Sequence, residues 1–243
     1  MQMLDSPFAR KLTSFTTLSK TDLNVLSDLH RRRRKFASGR DMVQQGQPNR
    51  TIYVLADGWA FSYILLPNGA RQIVDFRIPG DFLGLRSILF RKSDQNVEPI
   101  TPVEASEVRA SDLIGAFSKT PALAKAVLWA ASRDESMVVD HLVGLGRRNA
   151  AERIAHFLLE LGARLRLVGL ASNAGYACPL TQYHLADALG LSDVHVNRVL
   201  RQLREAGLVT FQNGRVTFDD FAALVDFADF EGDYLDHDGP QQH

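Results

Sequence analysis

The spacing of apolar positions changes character several times along the chain. Leu23, Leu26 and Leu29 share one face of a segment that Ser19 can cap, with Asp22 three residues on. That predicts a short amphipathic helix. From Phe36 to about Val108 the pattern becomes one of short β-branched and aromatic runs: Thr51 to Ala56, Trp59 to Leu66 and Gln72 to Phe76. Asp57-Gly58, Pro67-Asn68-Gly69 and Pro79-Gly80-Asp81 separate them. Strands this short, with turns this frequent, predict a β-roll or jelly roll rather than a parallel α/β sheet.

Helical spacing returns at Ser111-Asp112, and Pro121 opens a longer helix at its favoured first-turn position. Leu123, Val127, Ala130, Met137, Val138, Leu142 and Leu145 line it, most of them three, four or seven residues apart, with Met137 and Val138 adjacent. A helix of about 25 residues spans roughly 37 Å, which fits a seam between two protomers. The alternative is a core helix within one domain. Ile154, Phe157, Leu158 and Leu161 make the next segment, from Ala151 to Leu161, amphipathic, and a looser glycine-containing stretch runs to Pro179. The acidic tail after Phe230 reads as disordered.

Composition narrows the classes. With 243 residues, 45% apolar and 23% charged, the chain can bury a sizeable core in two ordinary domains. No apolar run approaches the ~18–20 residues of a membrane span, and Met1 to Lys11 lacks a secretory segment. A cytoplasmic location is expected. The single cysteine, Cys178, excludes an intramolecular disulfide and a four-thiolate metal site. Formal net charge is zero, so any charge that meets DNA must be local. The run Arg31 to Lys35 reads as a nucleic-acid patch or as a solvated helix end entering a strand, and the second is favoured. His30, His141, His156, His184 and His195 are scattered and read as structural, so neither metal nor cofactor is expected. No nucleophile–base pairing, metal spacing or phosphate loop points to an enzyme.

The informative stretch is Leu180 to Phe218. Thr181 can cap a short helix with Leu185, Ala188 and Leu189 inward, Gly190 makes a tight turn, and Ser192 caps a second helix running to about Ala206. Val196, Val199, Leu200 and Leu203 follow the i, i+3, i+4, i+7 rule and face the core. Val194, Asn197, Arg198 and Arg201 collect on the opposite face, offering an aliphatic group, an amide and two guanidiniums. That inventory suits base edges in a major groove. Asn213-Gly214 between two β-rich runs then signals a hairpin. Helix, turn, helix and hairpin compose a winged helix. The alternative is a helical hairpin used only for packing.

Four segments, in order, resemble the Crp/Fnr superfamily from end to end. LTQYHLADALGLSDVHVNRVLRQLREAGLV is similar to its DNA-binding signature, PGDFLGLRSILF to its phosphate-binding cassette, VLADGWAFSYILLPNGARQIVDF to its β-roll, and AAERIAHFLLEL to the helix that follows its hinge. The resemblance implies an α+β fold. Residues 1–118 would form a cyclic-nucleotide-binding-like β-roll, 119–147 a dimerisation helix, 148–230 a winged helix-turn-helix and 231–243 a tail. It implies a homodimer on a near-palindromic operator in double-stranded DNA, and RNA polymerase as a further partner if the protein activates. Thr181, Ser192, Asp193, Val194, His195, Asn197, Arg198 and Arg201 fall at the DNA-binding positions. Arg198 aligns with the arginine that reads guanine, while Asp193 and Val194 replace the Arg-Glu of relatives that read cyclic-AMP-type operators.

Other departures bear on the effector. The family pocket maps onto Gly84, Leu85, Arg86, Ser87, Val138 and Val139. Cyclic-AMP binders carry a glutamate after the cassette glycine, where this chain has Leu85, and an Arg-Ser pair further on, where it has Asn96 to Ile100 with the anion Glu98. Phosphate recognition needs a cation or free backbone donors, so control by cyclic AMP is not expected, although Arg86 is a possible substitute. Another ligand, no ligand, or oxidation of Cys178 remain. The competing function is a ligand-regulated signalling module acting through protein contacts.

Overall fold

The computed structural model describes residues 6–48 and 50–235. Two short helices, α1 (Pro7–Thr13) and α2 (Lys20–Leu29), lead into the strands. Ser19 caps α2 as its spacing predicts: its hydroxyl accepts the Asp22 N–H at 3.2 Å, and the Asp22 carboxylate accepts the Ser19 N–H at 2.8 Å.

Seven strands follow, β1 (Arg33–Phe36), β2 (Thr51–Asp57), β3 (Ala60–Leu65), β4 (Arg71–Arg77), β5 (Phe82–Leu83), β6 (Asn96–Pro99) and β7 (Val103–Arg109). They form two antiparallel sheets ordered β1-β7-β2-β5 and β4-β3-β6. Alternation on β2 explains why four successive residues are buried. Tyr53 and Leu55 meet Ala60, Leu83, Val97 and Val103 between the sheets, while Ile52 and Val54 meet helices on the other face. Gly58 turns β2 into β3 with φ +85°, and a Cβ there would stand 2.3 Å from the Pro102 carbonyl oxygen. The basic run takes the bland reading. Arg33 and Arg34 lie on the edge strand β1 and face Glu104 and Glu107 of β7 at 3.1 and 3.8 Å.

α3 (Ala110–Lys119) is followed by α4 (Pro121–Arg147), two residues longer than its spacing predicts. Its role is divided along its length, which corrects the expected seam. Leu123, Val127, Ala130 and Met137 are buried within their own chain. The first three pack with Phe8, Leu12, Ile52 and Leu113, and Met137 packs with Ala163 and Leu235. Only Val138, Leu142 and Leu145 of the expected set face outward, at 42%, 69% and 42% exposure. The sequence shows periodicity but not which of two apolar stripes meets the chain's own sheet.

α4 gives way to α5 (Ala150–Leu167) across Arg148 and Asn149, both extended. Asn149 caps α5 in a reciprocal box with Glu152. The stretch expected to be loose after Leu161 continues as helix to Leu167. β8 (Ala171–Ser172) and β9 (Gly175–Ala177) then lead to α6 (Gln182–Leu189), α7 (Asp193–Glu205), β10 (Val209–Gln212), β11 (Arg215–Phe218) and α8 (Phe221–Ala228). The tail departs from expectation in its first residues. Gly232–Leu235 make a 3-10 turn, Leu235 is fully buried, and the Tyr234 hydroxyl donates to Glu160 at 2.9 Å. Residues 236–243 lie outside the described ones.

Two features weld the β-roll to the C-terminal half. One hydrophobic cluster runs from Trp59, Phe61, Ile73 and Phe76 of the second sheet into Phe157, Leu185, Val196 and Val216. Beside it, Arg164 of α5 reaches Asp75 at 3.1 Å, Asp81 at 2.9 Å and the Phe76 carbonyl at 2.7 Å. Lys11 completes Asp81 at 2.7 Å, and Arg77 joins Asp75 to Asp134. These side chains are almost entirely buried, apart from Arg77 and Asp134 at the margin. Each charge therefore depends on its partners, and removing one typically costs about 3–5 kcal/mol.

Candidate nucleic-acid interface

Two helices and a hairpin build the interface. Thr181 caps α6, its hydroxyl accepting the His184 N–H, and Gly190 ends it in the left-handed region at φ +63°. That turn lets Leu191 pack back against the core and sets Ser192 as the cap of α7, accepting the His195 N–H at 3.2 Å. Val196, Val199, Leu200 and Leu203 are buried, as their spacing requires. The opposite face is open: Val194 is 73% exposed, and Asn197, Arg198 and Arg201 are exposed beside it. Asp193 and His195 are half-buried in the first turn of α7, and Thr181 is exposed at the head of α6.

The wing has the expected two-residue loop. Gln212 pairs with Arg215, and Asn213 and Gly214 between them both have positive φ, 51° and 69°. That is the type I′ turn for which Asn-Gly is suited. A shallow groove lies between α7 and the wing, lined by Gln182, Asn197, Arg201, Arg204, Phe211 and Gln212. Four arginines (198, 201, 204 and 215) stand in this region against Asp193 and Glu205, although the whole chain is neutral. Among the described residues none of the four forms an ion pair, so their donors remain open to an external anion.

The second HTH surface is turned inward. The His184 ring lies 5.6 Å from Phe61 and 6.4 Å from Phe76, and Arg71 reaches Asp187 at 2.7 Å. The Gln72 side-chain amide donates to the Ala188 carbonyl at 3.1 Å. Burial, reinforced by Arg71, holds the His184 imidazole below its ordinary range. This docking of α6 on β4 has no signature in the sequence, because its partners are more than a hundred residues apart.

The effector residues are placed apart in the chain. Gly84 adopts φ +69° and starts a 3-10 turn, Leu85–Ile88. Leu85 packs with the α1–α3–α4 cluster, Arg86 turns outward onto Asp94, and the Ser87 hydroxyl faces the Thr51 carbonyl at 3.4 Å. Val138 and Val139 project outward from α4 at 42% and 56% exposure. Glu98 does have a cation near it, Arg71 of β4 at 3.9 Å, which strand pairing supplies and sequence order hides. Cys178 is fully buried, its thiol pushed up to about 12 by burial, so it is not a poised thiolate.

Two of the scattered histidines prove to be neighbours. The His141 Nε2 lies 2.9 Å from Glu160, and the His156 Nδ1 lies 3.5 Å from Asp140. Burial lowers both imidazoles. At His141 the Glu160 carboxylate outweighs it and the net shift is upward, whereas at His156 burial prevails. The spacing of His156 and Glu160, four apart on α5, was readable. Their partners on α4 were not.

A β-roll joined by one long helix to an exposed recognition helix and wing defines a DNA-binding transcription regulator. Residues 33–120 match the cyclic nucleotide-binding domain family, and residues 152–227 match the Crp-like helix-turn-helix domain family. The nitrogen fixation regulation protein FixK of Bradyrhizobium diazoefficiens is 32% identical over 193 residues, covering 79% of this chain and 80% of that protein. FixK of Azorhizobium caulinodans is 30% identical over 181 residues, covering 74% and 72%. The solved structure of FixK2 from Bradyrhizobium japonicum superposes with a TM-score of 0.72 at 28% identity, over 80% of this chain and 96% of that one. The chain belongs to the Crp/Fnr family of transcription regulators. No helix among its described residues is long and apolar enough to cross a membrane.

Proposed function

We propose that the chain acts in the cytoplasm as a homodimer, and that each protomer reads one half of a near-palindromic operator with the N-terminal half of α7. The outward face of α7 carries this reading: Val194, Asn197, Arg198 and Arg201 are exposed while Val196, Val199 and Leu200 are buried. The guanidinium of Arg198 suits the O6 and N7 acceptors of guanine, Asn197 suits adenine, and Val194 suits a thymine methyl. Thr181, Ser192 and His195, at the helix starts, meet the phosphate backbone, and Asp193 stands beside Val194 at the groove edge, where a carboxylate can accept from a cytosine amino group.

The seam is the outward stripe of α4. Leu128, Ala131, Glu135, Val138, Leu142 and Leu145 follow alternating three- and four-residue steps, and Leu128 and Leu142 are each 69% exposed. The stripe is apolar apart from Glu135, and a second copy offers the same stripe in return. Cyclic AMP does not control the protein in this reading, because Leu85 and Glu98 stand where ribose and phosphate ligands are needed. RNA polymerase is a partner if the bound dimer activates.

Selection of bound duplexes from a random pool by the full chain, followed by sequencing, tests the reading. It predicts an inverted repeat, bound without cyclic AMP and weakened by salt. Recovery of no enriched sequence would favour a module that acts through protein contacts.

A further inference from the structure

One guanidinium stands at the C-terminal ends of two helices. Arg148 closes α4, and Leu189 is the last residue of α6, just before the left-handed Gly190. Helix ends leave their last carbonyls without intrahelical donors and carry partial negative charge. Arg153, in the first turn of α5, reaches both ends. Its Nη1 donates to the Leu189 carbonyl at 2.6 Å and its Nη2 to the Arg148 carbonyl at 3.0 Å. Among the described residues it pairs with no carboxylate, and its Nε is buried without a partner. Burial accordingly holds this guanidinium below the ordinary arginine range.

The surroundings are shaped around this contact. Gly144 of α4 is buried, and a Cβ there would stand 3.1 Å from the Arg148 Nη1 and 3.9 Å from the Arg153 Cγ. Two bonds of 2.9 and 3.0 Å anchor Arg148 to Asp140, so the hinge residue is tied back to α4. Leu145, in the last turns of α4, lies against the HTH turn: a Cβ at Gly190 would be 3.5 Å from its Cδ2. The Ala188 carbonyl, next to that of Leu189, takes the Gln72 amide of β4. Two side chains from outside the HTH therefore hold the end of α6, one from the β-roll and one from the hinge. Three residues later Ser192 starts α7.

We propose that Arg153 is the positioning residue that fixes the recognition helix relative to α4. Its fork joins the last carbonyl of α6 to the hinge carbonyl, so the turn that starts α7 cannot swing about Arg148–Asn149 without breaking a charged hydrogen bond. Two recognition helices that read their half-sites together need a fixed separation. Arg153 therefore sets how strictly half-site spacing is read, from a place off the groove face of α7. This consequence rests on the DNA-binding, dimeric reading, whereas the tie between hinge and turn does not.

Spacing is tested with the full chain on its selected operator and on the same operator with a few base pairs added between the half-sites. Arg153→Gln should lose about tenfold on the selected operator, as expected for one charged hydrogen bond, and with it much of the preference over the lengthened one. Binding to random duplex and its salt slope should stay as in wild type, which a lost phosphate contact would not allow. Arg153→Lys keeps the charge but cannot span both carbonyls, so it should recover only part of the preference, and it serves if the glutamine variant does not fold. The tie itself is read without DNA. Spin labels at Arg147→Cys and Glu205→Cys, both exposed positions, report the distance between the ends of α4 and α7 when labelled chain is diluted with unlabelled. Arg153→Gln should broaden that distance distribution. An unchanged distribution in a folded variant overturns the positioning role, as does an unchanged spacing preference in protein that binds the operator. Equal losses on operator and random duplex also overturn it, since Arg153 would then be a DNA contact. Wild-type chain that binds no DNA would sink the functional reading, while the label distances are scored independently.

Discussion

Arg71 of β4 and Asp187 of α6 meet at 2.7 Å, an ion pair that ties the β-roll directly to the first helix of the DNA-binding unit. Arg71 also lies over the rings of Phe61 and Tyr63, at 4.8 and 5.7 Å from their centroids. One side chain thus joins a carboxylate on one module to an aromatic shelf on the other. A double-mutant cycle of Arg71→Ala and Asp187→Ala should give a coupling of about 0.5–1 kcal/mol, since the pair is partly exposed. Arg71→Ala alone should cost more than Asp187→Ala, because it also loses the ring contacts. Urea denaturation at two salt concentrations checks both points, and a coupling of zero would remove the pair from the joint.

Arg198 and Arg201 should separate cleanly in DNA binding. The start of a recognition helix enters the groove most deeply, so Arg198 reaches a base edge and Arg201, one turn on, a phosphate. Arg198→Ala should cost about 1–3 kcal/mol on the best operator and relax preference at one guanine per half-site. Arg201→Ala should weaken all sequences alike and flatten the salt dependence by about one unit. Both variants should melt as wild type, their side chains being exposed. Equal loss of specific and non-specific binding in Arg198→Ala would reverse the two roles.

Along α4 the outward and inward stripes predict opposite phenotypes. Leu142→Glu puts a charge in the proposed seam, so sedimentation should show monomers and operator affinity should fall with them. The isolated protomer should remain folded. Leu123→Ala, at a fully buried position, should instead lower stability by about 2–5 kcal/mol and leave any remaining native protein dimeric. A tight Leu142→Glu dimer would move the seam elsewhere.

Acid should destabilise the fold through His30. Burial, with Arg33 second, lowers its imidazole from the ordinary 6.5 to about 4, and the Ser106 hydroxyl lies 2.7 Å from its Nδ1. The unfolded chain then binds a proton that the native chain refuses. The contribution is complete above pH 6.5 and is lost as pH falls toward 4, on the order of 2 kcal/mol. His156 and His184, also lowered, add with the same sign. Urea midpoints between pH 7.5 and 4.5 should fall, and His30→Gln should reduce that slope. An unchanged slope would mean that His30 does not carry it.

Local signals were legible in the sequence because their partners are close along the chain. Ser19 with Asp22, Pro121, Gly190, Ser192 and Asn213-Gly214 each act within a few residues, and the structure places each where its chemistry requires. The faces of α7 were equally readable, since burial and exposure alternate at helical spacing. Long-range relations were not. Nothing near Leu123 or Met137 marks them as facing α1, α3 or α5 rather than a second protomer. Nothing in the sequence around Asp140 and Glu160 marks the contacts they make once α4 and α5 lie side by side. The acidic tail misled for a related reason: Tyr234 and Leu235 are ordered by a crevice that other segments build.

The hydrophobic cluster that runs from Phe61 and Phe76 into Leu185 and Val196 bears on how the molecule comes apart. Modules with separate interiors melt one after the other, and either can be expressed alone. Here the winged helix borrows its floor from the β-roll. Heat or denaturant should therefore dismantle the chain in a single cooperative step, and a fragment beginning at Asn149 would carry Phe157 and Leu185 with part of their cover missing. The unit that unfolds in this chain is then the β-roll and the winged helix together, although each matches a domain family of its own.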